Sequence, residues 1–231
     1  MTISQNHVCT APPVDEIVTS KVNGHTKGAV LDDKKWKPTE PITIRFLGGD
    51  PGLQARVRKV SEEWTDISSL TFNFINDGPA DIRISFAQDN RSWSYLGTDC
   101  RLILEPAATM NFGWLNAEST DDVLRAVVLH EFGHAIGMIH EHQNPKGAIA
   151  WNKDAVRHDL SGPPNNWDDA TIDNAMFKAY PPEVVTGTEV DAKSIMMYPI
   201  PISWTTDGTT AGFNKELSYT DKQFIAAVYP K

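Results

Sequence analysis

The stretch that decides the fold of this chain reads His130-Glu-Phe-Gly-His-Ala-Ile-Gly-Met-Ile-His-Glu-His142, and it holds four of the seven histidines. His130 and His134 lie four residues apart, so on an α-helix their side chains leave the same face, one turn apart. This spacing lets two imidazole rings reach one metal ion. Glu131 directly follows His130, so its side chain lies beside the ion and not on it. There its carboxylate can hold a water molecule.

A third metal ligand follows the helical pair. His140 lies six residues beyond His134, and Gly137 between them allows the chain to leave the helix and turn back toward the metal. Three neutral imidazoles leave one coordination position open for water, which is typical of a catalytic zinc ion. The alternative is a helix that carries several histidines by chance. It is disfavoured because the full spacing is far more specific than a bare His-Glu-x-x-His.

The pattern of apolar residues around the motif indicates an α+β fold. Alternation of apolar and polar residues predicts strands at Ile42–Leu47, Leu70–Ile75, Asp81–Phe86, Arg101–Leu104 and Thr109–Leu115. Helical spacing predicts helices at Leu53–Ile67, Asp121–Met138, Asp168–Lys178 and Thr220–Tyr229. The expected N-caps are Ser119 or Thr120 for the second helix and Thr220 for the last. A region rich in Pro, Asn and Gly follows His140, so an irregular lobe is expected there.

Composition excludes several classes of function. The chain has 231 residues, of which 40% are hydrophobic and 22% charged, as in ordinary globular proteins. Its net charge of −9 makes the surface a poor partner for phosphate backbones, so we expect no nucleic-acid partner. No apolar run approaches the roughly 20 residues that span a bilayer. The first ten residues lack the basic and apolar regions of a signal peptide.

Two segments together resemble the signature of the metzincin clan of metallopeptidases. The histidine motif matches the zinc-binding pattern of that clan, and Ser194-Ile-Met-Met-Tyr198 matches its methionine turn. Within the clan the chain most resembles the astacin family. Glu141 directly follows the third histidine, as in astacins, and Ser92–Gly97 is similar to a stretch upstream of the zinc helix in that family.

Three features depart from the astacin pattern. Met197 stands where astacins often have histidine, and His142-Gln-Asn-Pro145 replaces a stretch rich in Arg and Asp. Astacins carry several cysteines, whereas this chain has two. The departures indicate a divergent member, whose substrate preference does not transfer from the family.

The resemblance implies a zinc-dependent endopeptidase that uses one Zn²⁺ ion and hydrolyses internal peptide bonds. Glu131 would be the catalytic base. Met196 would lie beneath the zinc ion, and Tyr198 would approach the metal, as a further candidate ligand, and stabilise the transition state. Gly137 and Glu141 would have structural roles.

The resemblance also implies an architecture. A catalytic domain over residues 41–231 would consist of an upper lobe (41–139), with a mixed twisted sheet and two long helices, and an irregular lower lobe (140–231) with a C-terminal helix. Residues 1–40 would be an N-terminal segment and a candidate propeptide, with a short helix at Val14–Val22.

A metzincin pairs its peptide substrate with an edge strand of the upper sheet. Our candidate for that edge consists of Met110, Asn111, Phe112, Gly113 and Trp114; the alternative is an ordinary core or loop strand. The expected partner is therefore a protein or peptide substrate, and the chain is expected to act as a monomer. The resemblance implies secretion, although no leader is visible.

The two cysteines leave three readings open. The Cys9 thiolate is a candidate latency ligand that occupies the open zinc position, as cysteine switches do in some metzincins. A Cys9–Cys100 disulfide and two free thiols are the other readings.

The function also has an alternative. The chain would then be a zinc-binding module of the toxin or adhesin type, with little or no proteolytic activity. The intact Glu131 argues against this reading, because zinc binding does not require that residue.

Overall fold

A five-stranded mixed sheet and two long helices make up the first half of the protein. The structure, a computed structural model, describes residues 9, 28–89, 91–147, 149–187 and 189–231. In chain order its strands are β1 (Ala29–Leu31), β2 (Ile42–Phe46), β3 (Phe72–Phe74), β4 (Ile82–Ser85), β5 (Ser92–Ser94), β6 (Met110–Phe112) and β7 (Val185–Gly187). Its α-helices are α1 (Pro51–Asp66), α2 (Asp121–Ala135), α3 (Lys153–Ser161), α4 (Asp169–Ile172) and α5 (Tyr219–Val228).

The large sheet has the strand order β3-β2-β4-β6-β5. The pairs β2–β3, β2–β4 and β4–β6 are parallel, and β5 pairs antiparallel with β6. The expectation that Met110–Trp114 forms the edge of the sheet is therefore wrong. Both sides of β6 are occupied, by β4 and β5, and the antiparallel edge is β5. Alternation alone shows that a segment is extended, but not which neighbours it has.

The two long helices begin where capping chemistry predicts. Asp50 accepts a hydrogen bond from Leu53 N at 2.8 Å, and Pro51 occupies the first turn of α1. Thr120 accepts from Val123 N at the start of α2, which decides between the two expected caps. Gly137, with φ of +98°, ends α2 earlier than the expected Met138, because this left-handed conformation leaves the helix.

One apolar core joins the sheet to both helices. Trp64 of α1 is fully buried, and Phe72 of β3 packs against Phe132 of α2 with ring centroids 5.4 Å apart. Burial of side chains of this size stabilises the fold by roughly 1.5–3 kcal/mol each. The core thus fixes α2, the helix that carries the histidine motif, against the sheet.

Several local expectations fail in informative ways. Arg101–Leu104 is not a strand, because a 3₁₀ helix occupies Gly97–Leu102 and Leu104 is exposed to solvent. This 3₁₀ helix begins at Gly97, where a Cβ atom would lie 1.9 Å from the Lys34 carbonyl oxygen, so the close approach requires glycine. Ser218, not Thr220, caps α5, and it forms a capping box with Asp221.

The second half of the chain is less regular, as expected. It contains α3, which the sequence did not predict, and α4, which continues into a π-helical turn at Asp173–Phe177. The expected helix at Val14–Val22 lies outside the described residues. The mixed sheet, the two long helices and the C-terminal helix confirm the expected α+β architecture. No helix in the described part of the chain is long and apolar enough to cross a membrane.

Candidate metal centre

Four potential metal ligands meet at the C-terminal half of α2. Cys9 Sγ lies 2.9 Å from His130 Nε2, 3.6 Å from His134 Nε2 and 3.1 Å from His140 Nε2. The Nε2 atoms of His134 and His140 are 3.0 Å apart. All four donor atoms lie within 4.8 Å of one another, and all four residues are buried. The structure thus brings together the three predicted histidines and adds the thiol.

Each histidine points its Nε2 atom inward, because its Nδ1 atom already has an oxygen partner. His130 Nδ1 lies 2.7 Å from Ile195 O, and His134 Nδ1 lies 2.8 Å from Met138 O. A carbonyl oxygen can only accept, so in the neutral rings the proton is on Nδ1.

The third ring is held by an amide side chain. His140 Nδ1 lies 3.1 Å from Gln143 Oε1, and the Gln143 amide nitrogen donates to Asn174 O and Lys178 O. These two bonds assign the orientation of the amide, so Oε1 faces the ring and accepts. The histidine motif does not single out Gln143; its position three residues after His140 is the available signal.

The donor set fits a tetrahedral zinc ion. The Cys9 sulfur lies 2.9–3.6 Å from the three Nε2 atoms, and the Nε2 atoms of His134 and His140 are 3.0 Å apart. Without a cation, the lone pairs of these two nitrogen atoms repel each other. Ideal bond lengths place nitrogen ligands about 3.3 Å from each other and about 3.6 Å from a sulfur ligand. The polar partners at Nδ1 are those that normally orient metal-bound imidazoles.

Burial controls the charge of every group in the cluster. It lowers the pKa of His130 to about 4 and holds the pKa values of His134 and His140 well below the usual 6.5. All three rings are therefore neutral near pH 7, as metal ligands must be. Burial, followed by the charge of Glu131, raises the pKa of the Cys9 thiol. A bound cation would reverse that preference and favour the thiolate.

Glu131 lies next to the cluster, in a cleft. Its side chain is buried, which raises its pKa well above the usual 4.5. Its Oε2 atom has no hydrogen-bond partner among the described residues. The cleft is open to solvent, and it is lined mainly by apolar side chains, together with Cys9, His130, Glu131, Tyr198 and Asn214. One oxygen of the Glu131 carboxyl group is thus unsatisfied, in a largely apolar cleft beside the histidines.

The Ser194–Tyr198 turn lies directly against α2. Met196 is fully buried, and a Cβ atom on Gly133 would lie 2.3 Å from its sulfur. With Met196 in this conformation, a side chain at position 133 would collide with its sulfur, a constraint that the sequence pattern did not reveal. Asp221 holds the turn by accepting from Ser194 Oγ at 2.6 Å and from Ile195 N at 2.8 Å.

Tyr198 follows the turn and closes one side of the cluster. Its ring centroid lies 4.3 Å from that of His140, and its hydroxyl donates to the carbonyl oxygen of Cys9. The hydroxyl oxygen is 3.7 Å from Cys9 Sγ. Burial raises its pKa well above the usual 10, so the phenol is a neutral donor.

Two neighbours of the third ligand have separate roles. Glu141 is buried, and its carboxyl accepts from Asp191 N at 3.4 Å; burial and the nearby Asp221 raise its pKa to about 8. His142 stacks on His140 with ring centroids 5.2 Å apart. Its Nε2 atom bonds Ala175 O at 2.7 Å, so His142 lies outside the group of four donors.

The disulfide reading of the two cysteines is wrong. Both are free within the described chain, since Cys9 lies among the histidines and Cys100 is buried in the main core. Burial raises the pKa of Cys100 to about 12. Its thiol is therefore protonated and inaccessible.

The residues that were expected to form the edge strand, Met110–Trp114, lie in and after the internal strand β6. Met110 and Phe112 are fully buried, and the Asn111 amide donates to the backbone carbonyls of Ala87 and Arg91. A Cβ atom on Gly113 would lie 2.3 Å from Arg91 O, so glycine is needed where the two segments cross. Of this group, Trp114 alone lines the cleft.

Sequence comparison assigns the family. The profile of Matrixin, peptidase family M10, matches residues 35–154, just over half of the chain and all three histidines. This protein belongs to the matrixin family. Its cofactor is Zn²⁺.

Curated relatives of this matrixin include mammalian enzymes. It is 30% identical over 121 residues to the interstitial collagenase of Bos taurus, an alignment that covers 46% of this chain and 26% of the collagenase. It is 30% identical over 131 residues to the stromelysin-3 of Homo sapiens, which covers 49% and 27% of the two chains. The matrixin thus spans little more than a quarter of the length of these relatives.

Solved structures extend the likeness to most of the chain. Myroilysin is 42% identical, with a TM-score of 0.86, over 88% of this matrixin and 99% of the myroilysin chain. The hatching-enzyme zinc-protease HCE-1 of Oryzias latipes has a TM-score of 0.56 over 92% and 98% of the two chains. HCE-1 is only 16% identical, so it supports the fold alone.

Proposed function

We propose that this matrixin is a zinc-dependent endopeptidase that hydrolyses internal peptide bonds. The observation that carries the proposal is the convergence of three inward-facing Nε2 atoms beside the Glu131 carboxyl in an open apolar cleft. A structural zinc site would need neither the cleft nor a buried carboxyl group with an unsatisfied oxygen. The arrangement suits hydrolysis, because a water molecule can meet metal, base and substrate at one place.

In this proposal His130, His134 and His140 hold the zinc ion. When bound, zinc supplies a Lewis acid that acidifies a water molecule and polarises the scissile carbonyl. Glu131 would accept a proton from the attacking water while the water oxygen forms its bond to the carbonyl carbon. Glu131 would then deliver this proton to the leaving amine as the C–N bond breaks. The Tyr198 hydroxyl donates to the carbonyl oxygen, where negative charge develops.

We further propose that the substrate pairs with β5 instead of β6. β5 is the antiparallel edge strand of the sheet and packs against α2, the helix that carries the site. An extended peptide beside it would gain backbone hydrogen bonds that do not depend on sequence. Selectivity would then come from side chains that enter the apolar cleft.

Cys9 is proposed to hold the enzyme latent. Its sulfur faces the three Nε2 atoms and would occupy the position that the attacking water needs, and the Tyr198 hydroxyl donates to the carbonyl oxygen of Cys9. The inhibitory part of the candidate propeptide would then be the region around Cys9. The later residues Ala29–Leu31 and Trp36 pack into the catalytic body. We propose that release of Cys9 opens the site to water.

We also propose that, among the metzincins, this protein has an active site of the astacin type. It is supported by Glu141 after the third histidine and by Tyr198 beside the cluster. Secretion and action as a monomer are likewise proposed.

The test is cleavage of casein by the zinc-loaded protein after removal or substitution of Cys9. Activity that requires zinc, stops with phenanthroline and disappears in Glu131→Gln would support the proposal. A zinc-loaded protein with an unblocked site and no cleavage of any protein or peptide would instead favour the recognition module of the toxin or adhesin type.

A further inference from the structure

The C-terminal end of α2 is the point from which the metal site is built. The helix ends at Ala135, and the turn that follows donates Gly137 N to His134 O and Met138 N to Gly133 O. The next three carbonyl groups, of residues 135–137, are satisfied by donors from elsewhere in the chain. Buried carbonyl groups need hydrogen-bond donors from elsewhere. Their donors come from both ends of the chain.

Two aromatic side chains donate hydrogen bonds to the first two of these carbonyl groups. Trp36 Nε1 donates to Ala135 O at 2.7 Å, and the Tyr229 hydroxyl donates to Ile136 O at 2.8 Å. The two donors are themselves linked, since Trp36 N donates to the Tyr229 oxygen at 3.3 Å. Trp36 and Tyr229 are both buried. Neither is near the metal ligands in sequence.

Strand β1 holds the turn that follows. Leu31 N donates to Gly137 O at 3.2 Å, and Ile139 N donates to Ala29 O at 3.1 Å, with Met138 bridged between them. The Met138 carbonyl is the group that orients His134 through Nδ1 at 2.8 Å. On its other side β1 pairs with β7, which anchors it in the fold.

We propose that Trp36, Tyr229 and β1 form a clamp whose specific role is to position the metal ligands His134 and His140. The inference rests on the proposed function only in taking these histidines as zinc ligands. The clamp fixes three consecutive peptide groups, at residues 135–137, and through Met138 the orientation of one imidazole. These are positioning residues, because none of them touches the metal donors.

Trp36→Phe in the full chain tests the proposal, with Trp64→Phe as its matched control. Both substitutions remove a buried indole that donates to α2, but Trp64 donates to Leu129 O, in the interior of the helix. We expect Trp36→Phe to weaken zinc binding roughly 10-fold, as loss of a group that orients a metal ligand does. Trp64→Phe should lower Tm and leave zinc affinity unchanged. Competition with a chromogenic chelator measures the affinity.

The Co²⁺-substituted proteins provide a readout that loss of stability would not move. We expect the visible absorption bands of the tetrahedral ion to shift in Trp36→Phe and to match wild type in Trp64→Phe. Tyr229→Phe removes one hydroxyl with little change of volume, and it is the decisive variant if Trp36→Phe does not fold. It should weaken zinc binding and alter the Co²⁺ spectrum in the same direction.

The outcomes separate the inference from the proposed function. Wild-type protein that binds no zinc would overturn the proposed function. Wild-type protein that binds zinc, with clamp variants equal to Trp64→Phe in affinity and Co²⁺ spectrum, would overturn the clamp alone.

Discussion

Substitution of Cys9 by alanine should activate the full-length, zinc-loaded protein. The sulfur is one of four donors around a common centre, at 2.9–3.6 Å from the other three. Removal of the side chain leaves three histidines, which is the complete ligand set of a catalytic zinc site. Water can then enter the fourth position beside Glu131.

The expected increase in activity follows from the part of the zinc-binding free energy that one ligand contributes. Structural zinc sites with four protein ligands have apparent binding free energies of roughly 10–16 kcal/mol, so one ligand contributes about 3 kcal/mol. That amount corresponds to a factor of about 10² in the open fraction. The Tyr198 hydroxyl donates to the backbone carbonyl oxygen of residue 9, so this hydrogen bond survives the substitution and does not add to the gain.

The assay is the initial rate on a quenched fluorescent peptide, with zinc content measured on the same samples. Cys100→Ala is the matched control, because its thiol is buried in the core, away from the histidines. It should lower Tm and leave the basal rate unchanged. A zinc-loaded Cys9→Ala protein that is active but no faster than wild type would refute the latency argument. An unblocked protein without any activity would refute the proposed hydrolysis.

Three other perturbations, made in the same unblocked background, test the remaining parts. Glu131→Gln should keep its zinc and lose roughly 10²–10⁴-fold in kcat, and loss of zinc instead would contradict its role as a base. Tyr198→Phe should lower kcat roughly 10²-fold with KM little changed, because its hydroxyl acts on charge that develops in the transition state; an increase confined to KM would contradict this. Gly137→Ala should lower Tm and zinc affinity, since φ is +98° and its Cβ would meet Val30 Cγ2 at 3.2 Å. Gly208→Ala, also at positive φ but in open space, should lower Tm only, and equal loss of zinc in both variants would contradict the argument.

Local spacing was sufficient for the chemistry of the site. The spacing of four positions from His130 to His134 places both rings on one helical face, and Gly137 supplies the conformation that returns His140 to them. Periodicity likewise predicted α1, α2 and the strands β2, β3, β4 and β6, with ends that differ by a few residues. These features depend on interactions within a few residues, so a single sequence determines them.

The tertiary structure decided what depends on residues distant in sequence. It showed that β6 is internal and β5 is the edge, that Cys9 meets the histidines instead of Cys100, and that Gly133 admits Met196. It also supplied the partners of each Nδ1 atom.

The reason is that strand pairing and side-chain packing are selected by the whole fold. A given strand can pair with many other extended segments of similar sequence. Every residue has a backbone carbonyl group, so the sequence does not show which of them will accept a hydrogen bond from a histidine. The ligand residues could therefore be read from the amino acids, whereas the groups that orient and block them became visible only once the chain was folded.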